Sequence, residues 1–279
     1  MMMSAFKALS LSAIVLFMSF GSIASKANPV ELTVQGNKVE AVINLTGNVS
    51  ADLTLTFENS VGLTADNIGI TAQLIDITDL NILNRLSNPI NINLQAAFPM
   101  LITIEPPSNK GFAFSGLATV DIHTHNLDYL PGTPLRFFKA PLNGQFEDIT
   151  ATMGSGSYRA RGTTGKFSQF LIVADLRPVL TVVNTKYNRL SNSLATFSTQ
   201  IDTVLYSQLS SKLSEVQQLI AQQNYILASN KVDEFSRIIE QADPADIPNV
   251  WRSSRDIDNV AGELIAYANT LRFSLRLVN

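Results

Sequence analysis

The chain has two histidines, and both lie in the short run Asp-Ile-His-Thr-His that begins at Asp121, at His123 and His125. In a β-strand, every second side chain points to the same face. The acid and the two histidines would therefore share one face, with Val120 and Ile122 on the other. Zinc and copper accept two imidazoles and a carboxylate as ligands. These three residues are candidate metal ligands, although polar residues on a solvent-facing strand give the same pattern.

The sequence gives little support for other kinds of catalytic site. A Ser-His-Asp triad would have to use one of the same two histidines. The run Gly154-Ser-Gly-Ser157 lacks the strand-turn-helix context of a nucleophile elbow and predicts a turn. The adjacent acids Glu147 and Asp148 are interpreted as a pair in a loop. We therefore predict a non-catalytic protein with no cofactor, and a secreted hydrolase with a metal or carboxylate site around the Asp-Ile-His-Thr-His run is the alternative.

Three cations form a second group of candidate binding residues. Arg159 and Arg161 would share one face of a strand, and Lys166 follows them closely. Arginine suits bidentate binding of carboxylates and phosphates. The group predicts a patch for an anionic glycan or another surface polymer, and a solvated strand face with local ion pairs remains the alternative.

The composition excludes several classes of protein. Apolar residues make up 46% of the 279 residues, and charged residues 15%, against a typical level of about 25%. The chain can therefore form a core and is not of the disordered class. A formal net charge of −3 leaves no basic excess for binding nucleic acid. The absence of cysteine excludes disulfides, thiol catalysis and a lipid-modified N-terminal cysteine.

The first 27 residues have the pattern of a secretory signal peptide. Lys7 precedes an apolar run from Ala8 to Phe20, and small residues follow, with cleavage expected after Ala27 or after Ala24. The run is shorter than the roughly 20 residues that a membrane span needs. We expect an exported chain, periplasmic or extracellular, which is not a lipoprotein and has no membrane span after cleavage at Ala27. Losing two lysines would change its net charge to −5.

Residues 28–175, called the β half here, show a period of two. Apolar and polar residues alternate in Val30–Val34 and Val39–Leu45, around a turn, which predicts a hairpin. Further short strands follow, separated by Pro and Gly, and Asp79–Leu86 suggests a helical turn among them. Many short strands at such spacing are typical of an antiparallel β-sandwich.

Residues 176–279, called the helical half here, change to a period of three or four. One seam combines nine apolar residues at this spacing, namely Leu176, Leu180, Val183, Tyr187, Leu190, Leu194, Phe197, Ile201 and Val204. A stripe of this length must be covered by other helices or by a second copy, so self-association through it is expected if the chain leaves it open. A kink or a new helix is predicted near Leu205.

Three or four helices joined by short loops predict an antiparallel bundle. We expect a helical stop at Ser229-Asn230. The last helix would be capped by Ser253 or Ser254. Trp251 would anchor a loop to a core. The whole chain is predicted to be a segregated α+β protein, a β-sandwich followed by a helical bundle.

Two segments carry resemblances. Leu135–Phe138, Ser157–Gly162 and Gly165–Ile172 resemble the final strands of β-sandwich modules on secreted bacterial and archaeal surface proteins. The stretch from Pro248 to Asp256, running on to Leu275, resembles a family of uncharacterised secreted bacterial proteins, and the region from Leu205 is similar to helical modules of extracellular proteins. These resemblances imply an extracellular scaffold whose partner is a protein or a surface polymer, and they transfer no catalytic residue.

Overall fold

A computed structural model describes residues 29–278, and the predicted signal peptide therefore lies outside the described residues. The described chain contains antiparallel sheets and helices, which confirms the α+β class. None of the helices in this range is both long enough and apolar enough to cross a bilayer.

The first sheet is built mainly from the N-terminal strands and a long central strand. Its antiparallel order is β1 (Val30–Gln35), β2 (Lys38–Asn44), β3 (Ser50–Val61), β7 (Ala113–Asp128), β11 (Ser157–Thr164) and β10 (Thr150–Gly154), and β13 (Val250–Arg252) also pairs with β7. The alternating exposed and buried residues of β2 confirm the predicted hairpin.

The second sheet is also antiparallel. Its order is β4 (Ile70–Leu74), β6 (Met100–Ile104), β12 (Gln169–Asp175), β8 (Leu135–Ala140) and β9 (Glu147–Asp148), with β5 (Ile92–Leu94) paired to β12. A short helix, α1 (Leu80–Leu83), lies where the sequence suggested a helical turn. Both sheets contribute side chains to one core, such as Leu55 and Val120 from the first and Ile102 and Phe170 from the second.

Four longer helices follow the strands. They are α2 (Val179–Thr196), α3 (Thr203–Ala221), α4 (Tyr225–Glu240) and α5 (Val260–Leu275). The side chain of Asp202 caps α3 by accepting from two backbone N–H groups. Asn224 and Asn259 cap α4 and α5 by accepting from one backbone N–H group each. The four helices pack around a second core.

The predicted nine-residue seam is not one helical stripe, because the chain leaves the α-helix between residues 197 and 202. Leu176, Leu180 and Val204 are exposed at its ends. Val183, Tyr187, Leu190, Leu194 and Ile201 are buried in the helical core, and Phe197 packs against it. The chain therefore covers the middle of the seam itself, and this stripe leaves no long apolar surface for a second copy.

Two predicted helix boundaries are wrong. Ser229 and Asn230 lie inside α4, and the actual break comes earlier, where Gln223 takes a left-handed φ of 58° and Asn224 caps the next helix. The last helix is capped by Asn259 rather than by Ser253 or Ser254. The chain between α4 and α5, just before these two serines, forms β13.

β13 and α5 join the helical half to the β half. Trp251 of β13 enters the sheet core, where its ring lies 5.3–6.1 Å from those of Phe112, Phe114 and Phe167. Trp251 therefore anchors the chain to a core as expected, but it belongs to a strand and not to a loop. α5 contacts α2 and α4 as well as β7, β10 and β11. Its first turn runs so close to Gly165 that a Cβ there would lie 2.6 Å from the backbone nitrogen of Glu263.

Candidate functional site

A buried ion pair lies where α2 and α5 meet β9. The Lys186 ammonium is 2.6 Å from Asp148 Oδ2 and also donates to Ser274 Oγ at 2.8 Å. Burial lowers the pKa of Lys186, and the nearby carboxylate of Asp148 opposes that shift. The interpretation of Glu147 and Asp148 as a loop pair is wrong, because they form β9 and each has a cation from α2.

A second buried ionic group surrounds Glu263 of α5. Its carboxylate lies 2.9 Å from Lys166 Nζ and 3.5 Å from Lys139 Nζ, and it accepts from the backbone N–H of Gly165. Burial works against ionisation of Glu263, but the charges of Lys139 and Lys166 outweigh it and lower its pKa to about 2. Burial lowers the pKa of Lys139, which also donates to Thr164 Oγ1. We call Lys139, Asp148, Lys166, Lys186 and Glu263 the junction cluster.

A hydrogen-bonded chain leads from the junction cluster to the surface. Tyr267 Oη donates to Glu263 Oε2 at 3.3 Å, and Arg189 Nη2 donates to Tyr267 Oη at 3.2 Å. Nη1 of Arg189 lies 2.6 Å from Glu147 Oε1. Burial raises the pKa of Glu147, and Arg189 opposes the shift. Arg189 and Glu147 are partly exposed, so solvent reaches this end of the chain of hydrogen bonds.

Arg189 and Glu147 line a groove of about 420 Å³ between α2, α5 and the β8–β9 edge. Its other lining residues are Ser87, Phe138, Gln145, Phe146, Asp148, Arg177, Val182, Thr185, Lys186, Asn188, Asn192, Tyr267 and Thr270. Each cation in the groove is paired with a carboxylate: Arg177 with Asp175, Lys186 with Asp148, and Arg189 with Glu147. The groove therefore offers hydrogen-bonding groups on a charge-balanced surface.

The predicted metal candidates lie on the outer face of the first sheet. His123 and His125 alternate with the buried Ile122 and Thr124 along β7, so the two imidazoles share that face. Asp121 shares it too, but its carboxylate is paired with Arg161 Nε at 2.7 Å. Asp52 of β3 lies closer, with Oδ2 3.1 Å from His125 Nε2 and 3.4 Å from His123 Nδ1.

The three predicted anion-binding residues do not form one patch. Arg159 and Arg161 are exposed on the outer face of the first sheet, and Arg161 pairs with Asp121. Lys166 is turned toward Glu263 at the junction. A single site for an anionic polymer made of these three cations is therefore not present in the structure.

Two buried charged residues that the sequence analysis did not single out, Lys186 and Glu263, could have been recognised from their apolar neighbours in sequence. Lys186 falls among the apolar residues of α2, next to the buried Val183 and Tyr187. Glu263 is the one acid in an otherwise apolar run at the start of α5. A charged residue on a buried face needs a partner. The identity of that partner, here Asp148 or Lys139, depends on tertiary contacts across more than 30 residues.

The fold and its groove describe an α+β protein in which buried ion pairs connect antiparallel sheets to a set of helices. The chain belongs to DUF6689, a family of unknown function whose model matches residues 13–279. This confirms the expected membership of an uncharacterised family, and its description carries no catalytic activity. A search of curated proteins finds no match.

Proposed function

We propose that the chain is an exported, non-catalytic binding protein of the bacterial envelope or extracellular space. In this proposal a β-sandwich and a helical bundle form one rigid body, and the groove between them binds a small ligand. The ligand carries no net charge and is recognised by hydrogen bonds. The observation that carries the proposal is the pairwise match of cations and carboxylates in the groove.

The charge pairing argues against an ionic ligand. A free anion would have to displace Glu147 from Arg189, and a free cation would have to displace Arg189 from Glu147. The groove amides of Gln145, Asn188 and Asn192 can each both donate and accept. A neutral polyhydroxy compound or a zwitterionic peptide uses both capacities without breaking an ion pair.

The rigidity and size of the groove support the same conclusion. Arg189 is held by Glu147 and by the ring and hydroxyl of Tyr267, with its guanidinium carbon 5.2 Å from the ring centroid. Fixed polar groups lower the entropy lost on binding. A volume of about 420 Å³ lies within the range of about 300–1,000 Å³ that is usual for small-molecule sites.

The test is calorimetric titration of residues 28–279 with neutral disaccharides and zwitterionic dipeptides, beside citrate and spermidine at equal ionic strength. A bulky side chain at Asn192, in Asn192→Trp, should block the groove. Asn184→Trp is the matched control, because Asn184 is exposed on the same helix but does not line the groove. Binding of a neutral or zwitterionic compound that is lost only in Asn192→Trp supports the proposal.

Three outcomes contradict it. These are binding of citrate or spermidine alone, equal binding by Asn192→Trp, and no binding by any of these compounds. The non-catalytic part is tested by recovering the bound compound and comparing its mass with that of the starting material. An altered mass would show catalysis.

Export has a separate test. Expression in a bacterial host followed by fractionation should place the chain outside the cytoplasm. N-terminal sequencing of that fraction should begin at Asn28 or Ser25. A cytoplasmic chain that retains Met1 would contradict export without affecting the groove.

A further inference from the structure

A cluster on the outer face of the first sheet is independent of the groove. His123 and His125 belong to β7, and Asp52 belongs to the neighbouring strand β3, directly opposite His123 in the register. We call these three residues the histidine cluster. The register therefore brings together Asp52 and His123, which are 71 positions apart in the chain.

The two imidazoles converge on one oxygen. Asp52 Oδ2 lies 3.1 Å from His125 Nε2 and 3.4 Å from His123 Nδ1, and all three ligand atoms lie within 4.8 Å of one another. In a tetrahedral zinc site with bonds of about 2.0–2.1 Å, neighbouring ligand atoms are about 3.3–3.4 Å apart. The two contacts to the Asp52 oxygen match that spacing, so an ion could be accommodated with small side-chain rotations.

From this geometry we infer that Asp52, His123 and His125 bind a divalent transition-metal ion, with zinc as the reference case. Two neutral imidazoles and one carboxylate suit zinc, copper and nickel, whereas calcium and magnesium prefer oxygen ligands. Three protein ligands leave a fourth position for water or for a group from a partner. His125 is exposed and His123 is partly exposed, so the ion can enter from solvent.

The neighbours of the histidine cluster indicate which of two nearby acids, Asp52 or Asp121, is the metal ligand. Asp121 lines the same shallow depression as Asp52 and His123, but its carboxylate is already engaged by Arg161. Asp52 is not paired with a lysine or an arginine among the described residues, and the side chains that contact its carboxylate are the two histidines. The metal set is therefore Asp52 with the two histidines, rather than the set containing Asp121 that the sequence suggests.

Arg159 places a limit on affinity. It is paired with His123 in the β7–β11 register and lines the depression, so its charge disfavours a cation. Because Arg159 is exposed, solvent and salt screen this repulsion. Replacing it by a neutral residue, as in Arg159→Gln, is expected to strengthen zinc binding.

The experiment uses untagged residues 28–279 and isothermal titration with zinc chloride, followed by metal analysis after dialysis. We expect one zinc per chain. Asp52→Asn and His125→Ala should each weaken binding by at least about tenfold, since even indirect supports of metal ligands cost 10–100-fold. Asp121→Asn is the matched control and should bind zinc as the wild type does. Copper and nickel should compete, and a large excess of magnesium should not.

Nuclear magnetic resonance gives an independent reading, because the chain has only two histidines. Zinc should shift the imidazole nitrogens of both, through Nδ1 of His123 and Nε2 of His125. The inference is overturned by substoichiometric binding of zinc, copper and nickel alike. Unchanged affinity in Asp52→Asn overturns it too, as does a larger loss in Asp121→Asn than in Asp52→Asn.

Discussion

Two groups of charged residues in this molecule have similar chemistry and opposite surroundings. Four of the five side chains in the junction cluster are buried and Lys166 is partly exposed, and each of its lysines contacts a carboxylate. The histidine cluster lies on an open sheet face, where all three side chains contact solvent. Buried charges are costly unless paired, so their removal acts on stability. Exposed charges contribute little to stability and remain free to bind.

This difference separates residues that hold the molecule together from residues that are available for chemistry. Lys186 has three hydrogen-bonding partners, which use all the donors of its ammonium group. The histidine cluster keeps one side open to solvent. Perturbed pKa values alone would have pointed to the junction, where Lys139 and Lys186 are shifted by burial. Geometry and access point to the exposed face.

The largest effect is expected at the buried pair of Lys186 and Asp148. Asp148→Asn leaves an uncompensated ammonium in the interior and should lower the free energy of unfolding by about 3–5 kcal/mol. Urea titration measures the change. Glu40→Gln removes the acid of the exposed pair with Lys38 and should change stability by about 0.5 kcal/mol or less.

The double variant Asp148→Asn with Lys186→Met distinguishes loss of charge balance from loss of shape. It should recover most of the stability that Asp148→Asn loses, because an apolar side chain replaces the stranded charge. No recovery would mean that packing around β9, and not the buried charge, causes the loss.

The next effect depends on pH and concerns Glu263, whose pKa the two lysines hold at about 2 in the folded chain. An unfolded Glu has a pKa of about 4.3. Between these values the unfolded chain binds the extra proton, so stability falls as the pH is lowered. The contribution is complete above about pH 5 and amounts to about 3 kcal/mol.

Glu263→Gln lacks this ionisation and is the reference for the pH titration. The wild type should exceed Glu263→Gln in stability at neutral pH, and the difference should shrink as the pH is lowered from about 5 toward 3. Chemical denaturation at each pH gives the difference. A constant difference over this range would show that Glu263 is not ionised at the junction.

A smaller effect is expected where α5 approaches the sheets. Gly165→Ala would place a methyl group against the backbone of Glu263 and Gly262 and should cost about 1–3 kcal/mol, because neither backbone can move away easily. Gly154→Ala, where the nearest atom would be 3.5 Å away, should be nearly neutral. Equal effects in the two variants would show that α5 adjusts to the added methyl group.

The sequence predicted the α+β class because the apolar period changes from two to three or four near Pro178, and local periodicity reflects local burial. It failed at places where tertiary contacts decide the structure. Val250–Arg252 forms a strand because β7 offers an open edge and the aromatic core accepts Trp251. Its sequence alone carries no such pattern. Gln223 ends a helix with a positive φ that glutamine rarely adopts.

The candidate site shows the same division. The shared face of His123 and His125 could be predicted, since it follows from strand alternation alone. Their acidic neighbour could not, because β3 lies opposite β7 only through the order of strands in the sheet. The nearest acid in sequence, Asp121, is on the correct face but is paired with Arg161. Which carboxylate joins the histidines is therefore a property of the sheet.

The smallest effect on stability should come from the histidine cluster, and it completes the contrast with Asp148→Asn. Without metal, Asp52→Asn should change the free energy of unfolding by no more than about 0.5 kcal/mol, because the side chain is exposed. With zinc at about 100 times the wild-type dissociation constant, the wild type should gain about 2.7 kcal/mol, and a variant that binds at least tenfold more weakly should gain about 1.4 kcal/mol or less. Thermal unfolding with and without zinc measures both quantities. A large loss in the metal-free variant would place Asp52 with the structural charges of the junction and remove the distinction between the two regions.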